Sequence, residues 1–559
     1  MAGTDQKDLK ETIAEKAKRT SNGLRGTLAD SLKDEHTGSL RDTDQLLVKF
    51  HGIYQQDDRD RRREREERKL DKLYSFMIRV RIPGGFIGPV HWEMAQNIAG
   101  KYSTGTIKIT TRQTIQLHGI LKSNLKPTIK SFNEVFLDSI AACGDVNRNV
   151  TTTANPASSP HHDEINNLAK EISKMLLPKT RAYYEVWLDS EKLVEKTEED
   201  PLYRDVYLPR KFKIGVALPP WNDVDIFTND IGLIAIEENG KIIGYNVAAG
   251  GGLGTTHGNE KTYARLATVL GFVPKESVLK VVYEIVTVQR DFGNRDDRKL
   301  SRLKYTIDNM GLEEFKKEVE KRSSISFQSI KPYSFKTRSD QYGWAQDAKG
   351  AWHFTLFVEN GLVTDSEDRK LKTALYEVAK TRRAAFRFTC NQNVIFADIK
   401  TSDVPVIEEI IRKYKLQEIN ETASLVRKNS MACVALNTCP LALAEGQRYL
   451  PLLLDKVDAV VTKNNLNNEP ITFRMTGCPN GCARPYNAEI GLIGTAYGKY
   501  NLHLGADCNG TRLNKKYREN LEESEILQEL DSLFARFNRE KNTGESFGDF
   551  CNRAGLTGS

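Results

Sequence analysis

The sequence predicts a multidomain chain of mixed α+β and α/β type, in which two half repeats form one pseudo-two-fold domain beside two α/β domains. Three observations carry this. A strand, turn, helix and strand unit recurs at a separation of 279 residues, residues 143–338 alternate strand and helix patterns, and a further α/β stretch from 416 to 559 opens with four cysteines. A length of 559 residues suggests about three or four packed units.

Residues 1–75 form an N-terminal arm. It is poor in aromatic and β-branched residues and ends in "DDRDRRREREERKLDK", a run expected to be a solvated helix or surface arm without chemistry. The segment "FHGIYQQDDRD" mixes aromatics with amides and suits docking on the body or on a partner.

The half repeats are assigned to 76–142 and 339–415. "TIKITTRQTIQL" from Thr106 aligns with "AFRFTCNQNVIF" from Ala385, matching Lys108 to Arg387, Thr110 to Thr389, Arg112 to Asn391 and Gln113 to Gln392. Their flanks agree as well: "FMIRVRIPGGFI" answers "FTLFVENGLV", and "VHWEMAQNIAGKY" answers "RKLKTALYEVAKT". Such units are expected to form two halves of one sheet.

Between them, 143–338 carries strands in "KIGVALPP", "GLIAIEE" and "GYNVAA" and helices in "EINNLAKEISKML" and "KTYARLATVLG". "GGGLGTTHGN" at 250–259 is a glycine-rich loop expected between a strand and a helix. It lacks the G-x-G-x-x-G turn and downstream acid of a dinucleotide site, so electrons for any redox chemistry come from a partner.

Composition bounds the class. With 39% hydrophobic and 28% charged residues and no apolar run of about eighteen, no membrane span is expected. The charged N-terminus lacks a secretory core, which predicts a cytoplasmic, reducing environment. A net charge of +7, with its basic residues dispersed and no aromatic-basic stripe, gives no support for nucleic acid.

Four cysteines stand apart from the rest. Cys433 and Cys439 have five residues between them in "MACVALNTCPLALAE", and Cys478 and Cys482 have three in "MTGCPNGCARPYN". Zinc favours tight knuckles in both pairs, whereas an iron–sulfur cluster accepts wider and unequal spacings, so a cluster is expected over a structural zinc site or four buried thiols. Prolines after Cys439 and Cys478 and glycines before Cys478 and Cys482 break regular structure and can aim backbone amides at sulfur. Cys143, Cys390, Cys508 and Cys551 show no such spacing.

With "NTCPLALAEGQRYLP" and "TGCPNGCARP" in place, the chain resembles the sirohaem sulfite and nitrite reductase family, and within it the hemoprotein subunits of assimilatory sulfite reductases. The motifs "LRGT", "RVRIPGG", "TTRQTIQLHGI", "GDVNRNV", "YLPRKFK", "GGGLGTTHGN", "QRDFGNRDDR" and "YNLHLG" extend the resemblance over nearly the whole chain. It implies ferredoxin-like half repeats, two α/β domains binding sirohaem and a cluster, and a 4Fe-4S cluster on Cys433, Cys439, Cys478 and Cys482. Cys482 is implied as the axial ligand of the sirohaem iron as well.

The resemblance further implies cofactor contacts from Lys108, Arg112, Gln116, His118, Arg302 and Lys304. Lys108 stands where arginine is expected, and Arg302 where lysine is. Around the reacting anion it implies Arg79, Arg148, Lys211 and Lys213. Strand alternation sets Lys211 and Lys213 on one face with Phe212 on the other. Arginine keeps its proton at neutral pH and suits binding; crowded lysines suit proton donation.

The implied reaction is the six-electron reduction of sulfite to sulfide in cysteine biosynthesis. Nitrite reduction to ammonia is the alternative, and the paired lysine of "RKFK" favours sulfite. A non-enzymatic protein with a four-cysteine structural metal site is the distant alternative. The implied electron donor is an NADPH-dependent flavoprotein, with ferredoxin second.

Overall fold

Two five-stranded sheets share one strand order. In the first, Ile53–Asp57, Tyr74–Arg79, Ile115–Ile120, Ile107–Ile109 and Leu362–Val363 lie side by side; in the second, Gly343–Gln346, Trp352–Leu356, Val394–Ile399, Ala385–Phe388 and Phe86–Ile87 do. Each sheet ends on a two-residue strand from the other copy. Leu362 pairs with Lys108 and Val363 with Ile107, while Phe86 pairs with Arg387 and Ile87 with Phe386.

The expected single sheet is thus a pair of sheets that trade an edge. The cause lies in the turns before the traded strands, where Gly85 and Gly361 take φ +73 and +67. A Cβ there would stand 2.7 Å from Phe388 O and 2.2 Å from Ile109 O, so only glycine lets the chain pass this close to the other copy. Ile53–Asp57 lies within the arm by sequence yet opens the first sheet, in the position that Gly343–Gln346 holds in the second.

This computed structural model describes residues 11–179 and 200–557; the first ten residues of the arm and 180–199 of the 143–338 region lie outside the described residues. No helix among the described residues is long and apolar enough to cross a membrane.

The matched motifs repeat several of their bonds. Thr110 N donates to Thr114 O at 2.8 Å and Thr389 N to Asn393 O at 3.0 Å. Gln113 and Gln392 occupy the left-handed region at φ 52 and 72. From there their amides donate to Thr152 O at 2.7 Å and Ala432 O at 3.2 Å, tying each half repeat to the first strand of an α/β sheet. The helices Pro89–Tyr102 and Leu371–Thr381 pack together. Trp92, fully buried, stacks on Phe386 of the other copy at 5.1 Å, a contact whose truncation to alanine costs about 3–5 kcal/mol.

The two α/β sheets also match each other. Thr151–Thr152, Ile214–Ala217 and Ile231–Glu238 run parallel, followed by antiparallel Lys241–Ala249 and Thr268–Pro274. Ser430–Ala432, Phe473–Thr476 and Ile490–Ala496 run parallel, followed by antiparallel Lys499–Leu504 and Lys515–Leu521. Ile214 faces Ile231 and Phe473 faces Ile490, so equivalent residues here lie 259 apart.

The helix expected over "KTYARLATVLG" does not form. Thr268–Pro274 is a strand on Lys241–Ala249, and the glycine-rich loop joins strand to strand. The β-branched Thr268, Val269 and Val273 suit the ladder. Arg265 holds the preceding segment in place by backbone bonds in both directions with Gly252. The other expected helix stands, as His162–Met175.

The arm is docked. Its helix Ile13–Arg19 is held by Lys18 Nζ donating to Leu208 O at 2.9 Å and by an Arg295–Glu15 ion pair at 2.5 Å. The charge run forms the exposed helix Arg62–Glu67, as expected, braced by Arg61–Glu64 and Arg63–Glu67 pairs.

Candidate active site

A cavity of about 370 Å³ opens where the first half repeat, both α/β sheets and the arm meet. Arg79, Lys108, Arg112, Gln116, His118, Arg148, Lys211, Lys213 and all four clustered cysteines line it.

The cations reach it from different elements. Arg79 ends the strand Tyr74–Arg79, where its Nε donates to the Gln116 amide oxygen at 2.8 Å, in the amide orientation that satisfies both groups, and its Nη1 to Cys143 Sγ at 3.1 Å. Arg148 donates from Nε to Gly144 O at 2.8 Å and from Nη1 to Ala142 O at 3.3 Å. The turn at 142–144 therefore aims both guanidiniums.

Lys211 and Lys213 flank Phe212, which is 1% exposed and packs in the core, so the expected alternation holds. Burial, then Arg210, pushes Lys211 down to about 7; burial, then Lys211 and Arg302, pushes Lys213 well below its usual range. Cations crowded in this way favour an anion among them.

His118 is half-buried, its pKa pushed down to about 3 by desolvation first and then by Lys108 and Arg79, with Nδ1 3.0 Å from Gln56 Oε1. Lys108, lowered to about 7 by burial, donates to Asn360 O. Arg112 bonds Asn229 Oδ1 at 2.6 Å and Ile214 O at 3.0 Å, while its buried Nε has no hydrogen-bond partner.

One backbone amide and one side-chain amide point at sulfur. Gly477 N–H donates to Cys433 Sγ at 3.4 Å, and Asn480 Nδ2 lies 3.5 Å from Cys478 Sγ. Burial first, and the neighbouring Cys482 second, push the Cys433, Cys439 and Cys478 thiols upward. Four thiols that repel as thiolates need a cationic body among them. No three Cys, His, Asp or Glu side chains among the described residues converge on a single-ion site, and sulfurs spread around a cavity fit a larger cluster. The unpartnered Arg112 Nε and the crowded lysines fit a polycarboxylate macrocycle and a small anion.

Arg302 and Lys304 stand outside this lining. Arg302 makes a paired bond to Asp230, at 3.0 and 2.8 Å. Lys304 donates to Gly252 O and Gly254 O, each at 3.0 Å, and to Tyr263 O, bracing the glycine-rich loop. Sequence reasoning missed Lys49, Tyr54 and Arg210, which line the cavity too. Arg210 opens the "RKFK" run whose lysines were singled out. Missed as well was Arg59, which donates to Cys439 O at 3.2 Å and Ala442 O at 2.5 Å, clamping the first cysteine loop from the arm.

The pseudo-symmetry supplies a counterpart. Thr153 stands in the place of Cys433, Trp221 of Asn480 and Asp223 of Cys482, around a cavity of about 20 Å³. Burial pushes Asp223 up to about 7. One side of the axis keeps thiols and cations; the other is filled with packing and a protonatable acid.

The chain is similar to known proteins over nearly its whole length. Residues 68–135 and 345–414 match the nitrite/sulfite reductase ferredoxin-like half domain, and 169–327 match the nitrite and sulphite reductase 4Fe-4S domain. The latter span holds none of the four cysteines; they lie in the loops that follow the first two strands, Ser430–Ala432 and Phe473–Thr476, of the second sheet of the same topology. A Leptospira biflexa (strain Patoc 1 / Ames) protein named sulfite reductase (NADPH) hemoprotein beta-component is 69% identical, covering 98% of this chain and 99% of its own. Proteins of the same name from Geobacillus thermodenitrificans and Shewanella sp. (strain ANA-3) are 53% and 51% identical, over 97% and 98% of this chain and 95% and 97% of their own. The solved Mycobacterium tuberculosis NirA protein shares the fold, with a TM-score of 0.79 at 24% identity over 98% of this chain and 97% of that one. Two half repeats, a cysteine-lined cavity and near full-length relatives converge: the chain belongs to the nitrite and sulfite reductase family.

Proposed function

We propose that the chain is the hemoprotein subunit of an assimilatory sulfite reductase, reducing sulfite to sulfide with six electrons. The observation that carries this is the convergence of Arg79, Arg148, Lys211 and Lys213 on the cavity that also takes the four cysteines. When bound, sirohaem and a 4Fe-4S cluster would relay the partner's electrons and supply the iron that activates the S–O bonds. Cys433, Cys439, Cys478 and Cys482 would hold the cluster, with Cys482 shared with the sirohaem iron. Arg112, Lys108, Gln116 and His118 would face the macrocycle's rim.

The chain's own residues then bind and protonate. Arg79 and Arg148, fixed on the 142–144 turn, hold the anion's oxygens. Lys211 and Lys213, with depressed proton affinity, release protons to oxygens that leave as water. The relatives' names carry NADPH and a beta-component, which supports a flavoprotein partner as the electron donor.

The absorption spectrum of the purified protein tests this: a Soret band, a red chlorin-like band and cluster absorbance are expected, and colourless zinc protein overturns it. A kcat/KM preference for nitrite would reassign the substrate. Pull-downs with an NADPH-dependent flavoprotein and with ferredoxin decide the donor.

A further inference from the structure

The conserved topology of the two α/β sheets brings two buried residues together on the pseudo-two-fold axis. Asp225 and Arg484 lie 259 residues apart, at equivalent points of the loops entering Ile231–Glu238 and Ile490–Ala496, and both take left-handed backbone at φ 46 and 58. Arg484 Nε stands 2.5 Å from Asp225 Oδ2.

The rest of that guanidinium spans the half repeats. Nη1 donates to Thr111 O at 3.1 Å and Nη2 to Cys390 O at 2.8 Å. Thr111 and Cys390 are themselves equivalent, 279 residues apart. One side chain thus reads both copies of the repeated turn. Thr111 returns the contact, its Oγ1 donating to Cys482 O at 3.2 Å.

Asp225 is shared with Arg474 at 2.6 Å and Arg338 at 3.5 Å, all with side chains under a tenth exposed. A planar fork meets this geometry and a lysine ammonium does not, since its donors radiate from one point.

We propose that Arg484 is a positioning residue: two positions after Cys482, it indexes that thiol against both half repeats and so sets where the shared ligand meets the two cofactors. The inference rests on the reading of Cys482 as the shared ligand. A misplacement of the ligand by a fraction of an ångström alters the iron's ligand field and slows turnover without changing how the anion is held.

The test compares holoenzymes of Arg484→Lys, Arg474→Lys and Thr111→Val by the electron paramagnetic resonance of the resting ferric sirohaem, with iron and sirohaem content measured alongside. Arg484→Lys is expected to shift the g-values and to lower kcat about tenfold while KM stays within about twofold. Arg474→Lys, which alters the same carboxylate network without touching either turn, is expected to keep the parental g-values. Parental g-values in Arg484→Lys, or an equal shift in Arg474→Lys, overturn the proposal. Should Arg484→Lys fail to fold or load, Thr111→Val decides: it removes one bond to Cys482 O from the turn that Arg484 holds, and g-values shifted from the parental ones support the proposal while parental g-values overturn it. Cys482→Ser separates the two readings, because retention of one cofactor sinks the shared ligand and this inference with it, whereas loss of both beside a silent Arg484→Lys sinks this inference alone.

Discussion

Asp225 and Arg484 are equivalent residues of two differently used sheets, and they close an ion pair across the axis that relates them, Oδ2 to Nε at 2.5 Å. Arg474, Arg484 and Arg338 hold the Asp225 carboxyl far below the ordinary range against the opposing effect of burial. Asp225→Asn leaves three buried guanidiniums without their carboxylate, an imbalance costing about 3–5 kcal/mol. The expected outcome is a lower melting temperature at pH 7. A depressed acid stabilises above its unfolded pKa of 3.8 and loses that contribution as pH falls toward its folded value, so the difference between parent and variant should narrow below about pH 4. A constant difference down to pH 2 would remove Asp225 from the account.

Cys482→Ser should reduce both sirohaem and cluster content together, measured by extraction of the macrocycle and by iron analysis. Loss of only one would count against a shared thiolate.

Lys211 gives the reaction an alkaline limit. Its proton is held with a pKa of about 7 in the crowded cavity, and a bound anion raises it. The protonated, productive form is present below that value and lost as pH rises through it. Sulfite reduction should therefore fall on the alkaline side. Lys211→Gln should flatten that limb and lower kcat by roughly 10²–10⁴-fold, and a profile unchanged in shape would mean that another group titrates.

Lys213→Asn exchanges a cation for an amide beside the same anion. The ratio of sulfite to nitrite kcat/KM should drop, and an unchanged ratio would show that Lys213 does not set substrate preference.

Gly361→Ala tests the traded strand. The new Cβ would sit 2.2 Å from Ile109 O at a positive φ, which costs roughly 1–3 kcal/mol, read as a fall in melting temperature. Ala at Gly240, where φ is +71 and nothing lies within 4 Å, should cost less.

How far these features were legible follows from what each needs. The half repeats showed because Thr110 and Gln113, or Thr389 and Gln392, must form the same turn and reach the same kind of carbonyl, so their identities persist. The α/β repeat left no such trace: its equivalent pairs include Asp225 with Arg484 and Asp223 with Cys482, where opposite or unrelated chemistry occupies one backbone position. The cysteines stood out by their spacing, whereas the two lysines of "RKFK" share a face by strand alternation but gained a role only through the family resemblance. The partners of Arg302 and Lys304 could not be read, because the carboxylate and carbonyls that take them lie more than forty residues away in sequence. The strand at 268–274 was mistaken for a helix because its apolar spacing fits either period until its partner strand is known.

The traded two-residue strands also order the making of the protein in time. Lys108 waits for Leu362, 254 residues later, and at about 5–20 residues per second a ribosome needs roughly 13–50 seconds to deliver it. Until then the edge at Ile107–Ile109 is unpaired and open to wrong partners. Cys482 emerges later still. A site that needs all four cysteines is therefore completed late, after the last strand of the first sheet has been made.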